Sequence, residues 1–260
     1  MLDDLVAGAV LDASERRLTR SLSSVEADAL AMPPALDALH ALAPADRVKI
    51  IAEVKRASPS RGPLADIPDP ASLAVSYETG GASAISVLTE GRRFGGSLDD
   101  LVAVRDAVRV PVLRKDFLAE PYQVFEARAA GADLVLLIVA ALDDTVLHEL
   151  FELTRELGMT ALVETHSADE VSRALDVGAA LIGVNARDLS TFELDSDLFG
   201  RLADSIPSGI IRVAESAVKS AADVAHYRRS GADVVLVGEA LVTGDPVATL
   251  TSFLETEPWH

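Results

Sequence analysis

The feature that most constrains this chain is a phrase that recurs four times: GASAISVLT from Gly81, GADLVLLIV from Gly131, GAALIGVN from Gly178 and GADVVLVG from Gly231. The glycines stand 50, 47 and 53 residues apart, about twice the length of one strand–helix unit, so each phrase marks every second strand. A Gly-Ala pair ends a helix, and the apolar run behind it enters a buried strand. Between the phrases lie VKIIAEVK (48–55), VPVLRKDF (110–117), TALVETHS (160–167) and IIRVAESA (210–217), runs too short and too β-branched for helices. That makes eight strands. The intervening stretches carry helix starts: Ser97 before LDDLVAVRDAV, Pro121 opening YQVFEARAAG, Ser167 with Glu170 as a capping box, and Ser220 before AADVAHYRRSG.

Strict alternation of nearly continuous apolar strands with helices predicts a parallel sheet covered by helices. The fold expected is α/β, a single (βα)8 TIM barrel with an N-terminal helical extension. A doubly wound open sheet is the competitor, but the chain lacks the glycine-rich dinucleotide turn such sheets carry. The length of 260 residues, 49% of them hydrophobic, fits one barrel with one core. Residues 1–47 show no strand pattern and instead read as helical around Leu5 to Leu11 and Ser24 to Ala31, with Ser23 and Glu26 spaced as a capping box. This extension is expected to cover the barrel formed by residues 48–260, either plugging its bottom or folding over its mouth. RASPSRGPLADIPDP (56–70), a long loop with four prolines after the first strand, reads as a lid or binding loop.

A formal net charge of -18 repels nucleic acid and anionic lipid. A small anion still fits, because a few cations and backbone N–H groups focused in a cleft outweigh a screened surface field. There is no cysteine, hence no disulfide framework and no thiolate nucleophile. The N-terminus has acids where a signal peptide needs basic residues, and no apolar run approaches the ~20 residues that span a bilayer. A cytoplasmic protein is expected.

In a closed βα barrel the C-terminal strand ends converge on one bowl, and here those ends carry charge. Glu53 and Lys55 alternate at the end of the first strand, so both face inward. They form either a buried ion pair or part of a working site, and buried pairs add little stability. Lys115 ends the third strand, and with Lys55 it is one of only four lysines in the chain. An ammonium whose pKa moves suits acid or base work in a way guanidinium does not; the plain alternative is a lysine paired with Asp116. Glu164 on the fifth strand is placed for proton transfer. Asn185 and Arg187 on and beyond the sixth offer an amide and an anion clamp, unless Arg187 merely pairs with Asp188 or Glu164. AESA (214–217) and VGE (237–239) put small residues where backbone N–H groups approach an anion, the usual phosphate position of this fold. Phe94 and Phe117 offer walls for a flat ring or simply fill the core. The histidines show no metal-ligand spacing, and His166 beside Glu164 reads as structural.

The runs IIAEVKRASPSRG (50–62), TEGRRFGGSLDDL (89–101), LRKDFLAEPYQVFEARAAGAD (113–133), LLIVAAL (136–142), LVETHS (162–167), GVNARDL (183–189), AES (214–216) and LVGEALV (236–242) together resemble the indole-3-glycerol phosphate synthases of tryptophan biosynthesis. The resemblance implies a substrate like 1-(2-carboxyphenylamino)-1-deoxyribulose 5-phosphate, which undergoes ring closure, decarboxylation and dehydration without a metal or redox cofactor. It implies Lys115 as the acid for ring closure, Lys55 as carboxylate or phosphate ligand and acid in dehydration, Glu164 as the later acid/base partner, Glu53 as orienter, and Asn185 and Glu215 in the polar network. Substrate contacts would come from Ser58, Phe94, Phe117, Leu137, Arg187, Ser216, Ala217, Gly238 and Glu239. Ala217 stands where the family usually has glycine; if that position needs positive φ, the methyl costs on the order of 1 kcal/mol and weakens phosphate binding. No partner beyond this anionic sugar phosphate is expected: no nucleic acid, no membrane, a monomer or weak homo-oligomer. A sugar-phosphate isomerase of the same barrel group and a non-catalytic barrel scaffold are the alternatives.

Overall fold

The computed structural model describes residues 1–188, 191 and 193–255; Leu189 of the GVNARDL run and residues 256–260, the end of the expected barrel segment, lie outside the described residues. Eight parallel strands close into a barrel: β1 (Lys49–Val54), β2 (Ala84–Leu88), β3 (Val112–Lys115), β4 (Leu134–Ile138), β5 (Thr160–Thr165), β6 (Leu181–Asn185), β7 (Ile211–Glu215) and β8 (Val234–Val237). β1 seals it by pairing with β2 on one side and β8 on the other, Ile51 opposite Ala84 and Lys49 opposite Val234. The open-sheet alternative is thereby excluded.

Side chains alternate between two buried layers, as the pleat requires. Ile51, Leu113, Leu134, Leu162, Leu181, Val213 and Leu236 fill the barrel interior. Their neighbours Ile50, Val135, Leu137, Val163, Ile182 and Val235 pack outward beneath the helices. The four repeated glycines end their helices in the left-handed region, with φ between 84° and 96°, which a side chain would resist.

Helix starts follow the expected capping chemistry, each cap contributing about 1 kcal/mol. Ser97 accepts the Asp100 N–H, and Ser220 forms a reciprocal box with Asp223. Before Pro121 the box is made by Glu120 and Gln123. Ser167 accepts the Glu170 N–H, but the Glu170 carboxylate accepts the N–H of His166, one residue earlier than a reciprocal box needs.

The leading segment touches both ends of the barrel. Helix α1 (Leu2–Thr19) lies across the mouth, where Leu5 and Ala9 join Phe117 and Ile138 in the interior cluster. Two ion pairs clamp it: Arg92 to Asp12 at 2.6 Å and Arg16 to the buried Glu126 at 2.6 Å. Helix α2 (Leu22–Ala31) is capped by Ser21, not by Ser23: Ser21 has the extended backbone a cap requires, and its Oγ accepts the Ser24 N–H, whereas Ser23 is already inside the helix. Residues 33–46 then cross the bottom. Ala38 and Leu42 are fully buried there. The Leu36 N–H donates to Asp133 just before β4, and Arg228 and Arg128 donate to the carbonyls of Ala45 and Pro33.

Candidate active site

The inward register that holds Ile51 in the core also delivers Glu53 and then Lys55 to the mouth. The same step of two delivers Lys115 above Leu113, Glu164 above Leu162 and Glu215 above Val213, and two such steps, past Gly183, deliver Asn185 above Leu181. Lys115 Nζ sits 3.6 Å from Glu53 and 3.4 Å from Glu215, and Lys55 Nζ is 3.1 Å from Glu53. Ser86 Oγ donates to Glu53 at 3.4 Å. Asn185 donates to Glu164 Oε1 at 3.1 Å and accepts from Ser216 Oγ at 2.7 Å. Two sets of contacts therefore make up the network at the mouth: one joins β1, β2, β3 and β7 around Glu53 and Lys115, and the other joins Glu164 of β5 and Asn185 of β6 to Ser216 just after β7.

Asp116 is not the partner of Lys115. Arg114 and Asp116 point outward, on the opposite side of the strand from Lys115, and pair with each other at 3.1 Å; the fully buried Arg114 also donates to Thr89 Oγ1 and the Gln123 carbonyl. The lysine is left to the cleft.

Burial sets the protonation of this cluster. Burial disfavours the Lys115 cation, but the charges of Glu53, Glu215 and Glu164 overcome it and raise its pKa. Burial pushes Glu53 up, yet Lys55 and Lys115 outweigh it and hold this carboxyl below its ordinary value. Glu215 goes the other way: burial and then the charge of Glu164 push it up to about 8, with Lys115 pulling back less. At neutral pH the Lys115 charge is thus answered by Glu53, while Glu215 keeps a proton although it lies just as near. Both Glu215 oxygens are buried without a hydrogen-bond partner. Room for this carboxyl comes from Gly183, where a Cβ would lie 2.1 Å from Glu215 Oε1.

The cleft has two lobes around these charges. One is walled by Leu5, Leu88, Phe94, Phe117, Leu136 and Ile138, with Ser58 from the long loop and Arg187 on its rim. Phe94 and Phe117 stand 6.1 Å apart, tilted, and Lys55 Nζ lies 5.9 Å over the Phe94 ring. The other lobe is lined by Ser216, Ala217, Lys219, Gly238 and Glu239. Ser216 and Ala217 have φ of 69° and 58°, left-handed backbone that non-glycine residues rarely adopt, and with Gly238 they leave a cradle walled by small residues and backbone. A Cβ on Gly238 would meet Glu53 Oε1 at 2.7 Å, so this glycine lets the carboxylate and the cradle share a wall. Arg61 from the β1 loop pairs with Glu239 at 3.0 Å across the rim. Burial lowers the Arg187 pKa, against the attraction of Glu239.

Every residue expected at the site reaches one of these lobes or the network except Leu137. It is fully buried in the outer layer, because the odd-numbered positions of β4 face the helices; Leu136 and Ile138 face the cleft instead. Sequence reasoning also passed over Leu88, Ser86, Gly183 and Lys219. Lys219 carried a signal, since it makes three of the four lysines line one cleft.

A barrel whose mouth sets two ammonium groups among three buried carboxyls, beside a backbone cradle for an anion, defines an acid/base enzyme acting on a phosphorylated small molecule. The family model for indole-3-glycerol phosphate synthase matches residues 2–253, and the chain belongs to that family, carboxy-lyases of tryptophan biosynthesis. It is 74% identical to the indole-3-glycerol phosphate synthase of Leifsonia xyli over 97% of both chains, and 59% identical to that of Mycobacteroides abscessus over 95% of this chain and 90% of the other. Among solved structures it resembles a thiamine phosphate pyrophosphorylase from Pyrococcus furiosus, with a TM-score of 0.59 and 15% identity over 80% of this chain and 94% of the other. That likeness shows the fold alone. No helix among the described residues is long and apolar enough to cross a membrane.

Proposed function

We propose that this cleft converts 1-(2-carboxyphenylamino)-1-deoxyribulose 5-phosphate to indole-3-glycerol phosphate, CO2 and water by general acid/base catalysis. The observation that carries the reading is the placement of Lys55 and Lys115 around Glu53 between an apolar wall and a left-handed cradle. The phosphate sits on the N–H groups around Ser216, Ala217, Gly238 and Glu239. The aromatic ring lies among Phe94, Phe117, Leu136 and Ile138, with Ser58 at its edge and its carboxylate toward Lys55 and Arg187.

This geometry brings the ring carbon bearing the carboxylate against the ribulose carbonyl, a saving of entropy that alone lowers the barrier by several kcal/mol. As the carbon–carbon bond forms, negative charge develops on the carbonyl oxygen and Lys115 supplies its proton. The raised pKa of Lys115 does not forbid this, because an alkoxide is a far stronger base than the carboxylates that hold the ammonium. CO2 then leaves and the ring regains aromaticity. Glu164, steadied by Asn185, takes the proton from the carbon next to nitrogen, while Lys55 assists departure of the hydroxyl as water. Glu53 keeps both lysines in place and Glu215 completes the network. The net charge of -18 supports a small-molecule partner rather than nucleic acid, and the protein acts in the cytoplasm as a monomer or weak homo-oligomer. Purified protein mixed with the substrate should produce indole fluorescence, and Glu164→Gln should reduce it by about a hundredfold or more; a folded wild type that gives no fluorescence would refute the reading.

A further inference from the structure

We propose that His166 and Glu170 form a relay that carries to solvent the proton that the buried Glu164 takes from the substrate in each turnover. The inference rests on the function proposed above. In that reaction the carbonyl oxygen takes a proton as the ring closes, the resulting hydroxyl takes a second as it leaves as water, and the carbon beside nitrogen gives one back. The electron pair freed when the carboxylate departs as CO2 goes into the aromatic ring. Two protons enter and one leaves, so each cycle draws one from outside. The carboxyl that takes the departing proton, Glu164, is 1% exposed, and it must lose that proton before the next turnover.

The structure holds a path for it. His166 follows Glu164 by two residues at the end of β5, so both side chains lie on one face, and its Nε2 lies 3.4 Å from Glu164 Oε1. That Nε2 is buried and has no hydrogen-bond partner. The other ring nitrogen, Nδ1, is 3.2 Å from Glu170 Oε2, and the same oxygen accepts the His166 backbone N–H at 2.8 Å. Glu170 opens the helix Ala168–Asp176, and its side chain, 19% exposed, reaches solvent. A carboxyl at the surface, an imidazole in the middle and a carboxyl at the reacting atoms give three groups in line, and the imidazole can accept at one nitrogen while donating from the other. The charged groups facing His166 are Glu164 on its own strand, Glu170 on the next helix and Glu215 on β7. Burial disfavours the His166 cation, but the Glu170 hydrogen bond and the neighbouring carboxylates outweigh it and raise its pKa, which makes the ring a better acceptor for the Glu164 proton. A packing histidine would need neither the two carboxylates nor an unpartnered nitrogen aimed at one of them.

The test is the pH profile of kcat for wild type, His166→Gln and Glu170→Gln, each with and without added imidazole. The relay predicts that His166→Gln lowers kcat roughly tenfold with KM nearly unchanged, that the loss deepens as pH falls and the outgoing proton finds fewer bases, and that imidazole restores turnover in proportion to its concentration. Glu170→Gln keeps the acceptor for the His166 N–H and should show the same pattern more weakly. An active wild type whose His166→Gln variant matches it across the profile would overturn the relay alone. So would a loss of kcat that is even across pH and untouched by imidazole, which marks a structural histidine. A wild type that forms no indole product would instead overturn the function on which the relay rests.

Discussion

The two ends of this barrel are built on opposite rules. At the bottom, Leu113, Leu134, Leu181, Ile211 and Val234 meet Ala38 and Leu42, all apolar and all buried, and the one buried acid there, Asp133, answers the Leu36 and Val112 N–H groups and Arg105. At the mouth, a few residues further along the same strands, the chain places the buried Glu53, Glu164 and Glu215 against two lysines, leaves both Glu215 oxygens without a hydrogen bond, and holds Ser216 and Ala217 in left-handed backbone. Polar groups buried without partners, and non-glycine residues at positive φ, each cost on the order of 1–3 kcal/mol. The contrast teaches that one end supplies the stability and the other spends part of it on chemistry.

The comparison breaks most visibly at Lys115. Lys115→Ala should lower kcat by roughly 10³-fold or more, read as the loss of indole fluorescence under saturating substrate, whereas Leu113→Ala, one step down the same strand and face, should leave kcat at 25 °C near wild type. Leu113→Ala should instead cost about 2–5 kcal/mol of unfolding free energy, measured by urea denaturation. If both variants lost activity and stability in the same proportion, the division of labour between the two ends would be wrong. A smaller effect sharpens the contrast at the cradle: Ala217→Gly relieves the methyl at φ 58°, and should stabilise the protein by up to about 1 kcal/mol while lowering KM through tighter phosphate binding. An unchanged KM would show that the cradle does not hold the phosphate.

Much of this was open to inspection in the amino-acid order. The Gly-Ala repeats marked four of the eight strands because glycine alone ends those helices comfortably at positive φ. Charged residues at the ends of apolar strands stood out because a strand buried on both faces has no other reason to carry them. Leu137 was misplaced for that same reason: LVLLIV is apolar throughout, so nothing in it tells the cleft face from the helix face, and an error of one residue reverses the side chain. The Ser21 cap was hidden by two further serines within three positions, each able to serve by spacing. Gly183 gave no sign, since its purpose is the volume of Glu215, a residue on another strand. The path of residues 1–47 over the mouth and across the bottom depends on ion pairs such as Arg16 with Glu126, 110 positions apart, which no local pattern encodes.

The most direct test of the contrast is Glu215→Gln, with kcat and Tm measured on the same samples at about pH 5 and about pH 9. Between its ordinary value and about 8, the folded protein holds a proton on Glu215 that the unfolded chain has lost, so the stability from this group falls as pH rises through that window. The substitution should therefore raise Tm at about pH 9 by roughly 2–8 °C, a gain on the order of 1–2 kcal/mol, leave it nearly unchanged at about pH 5, and lower kcat at both. A variant that is less stable at high pH, or one that is stabilised and keeps full activity, would contradict the account.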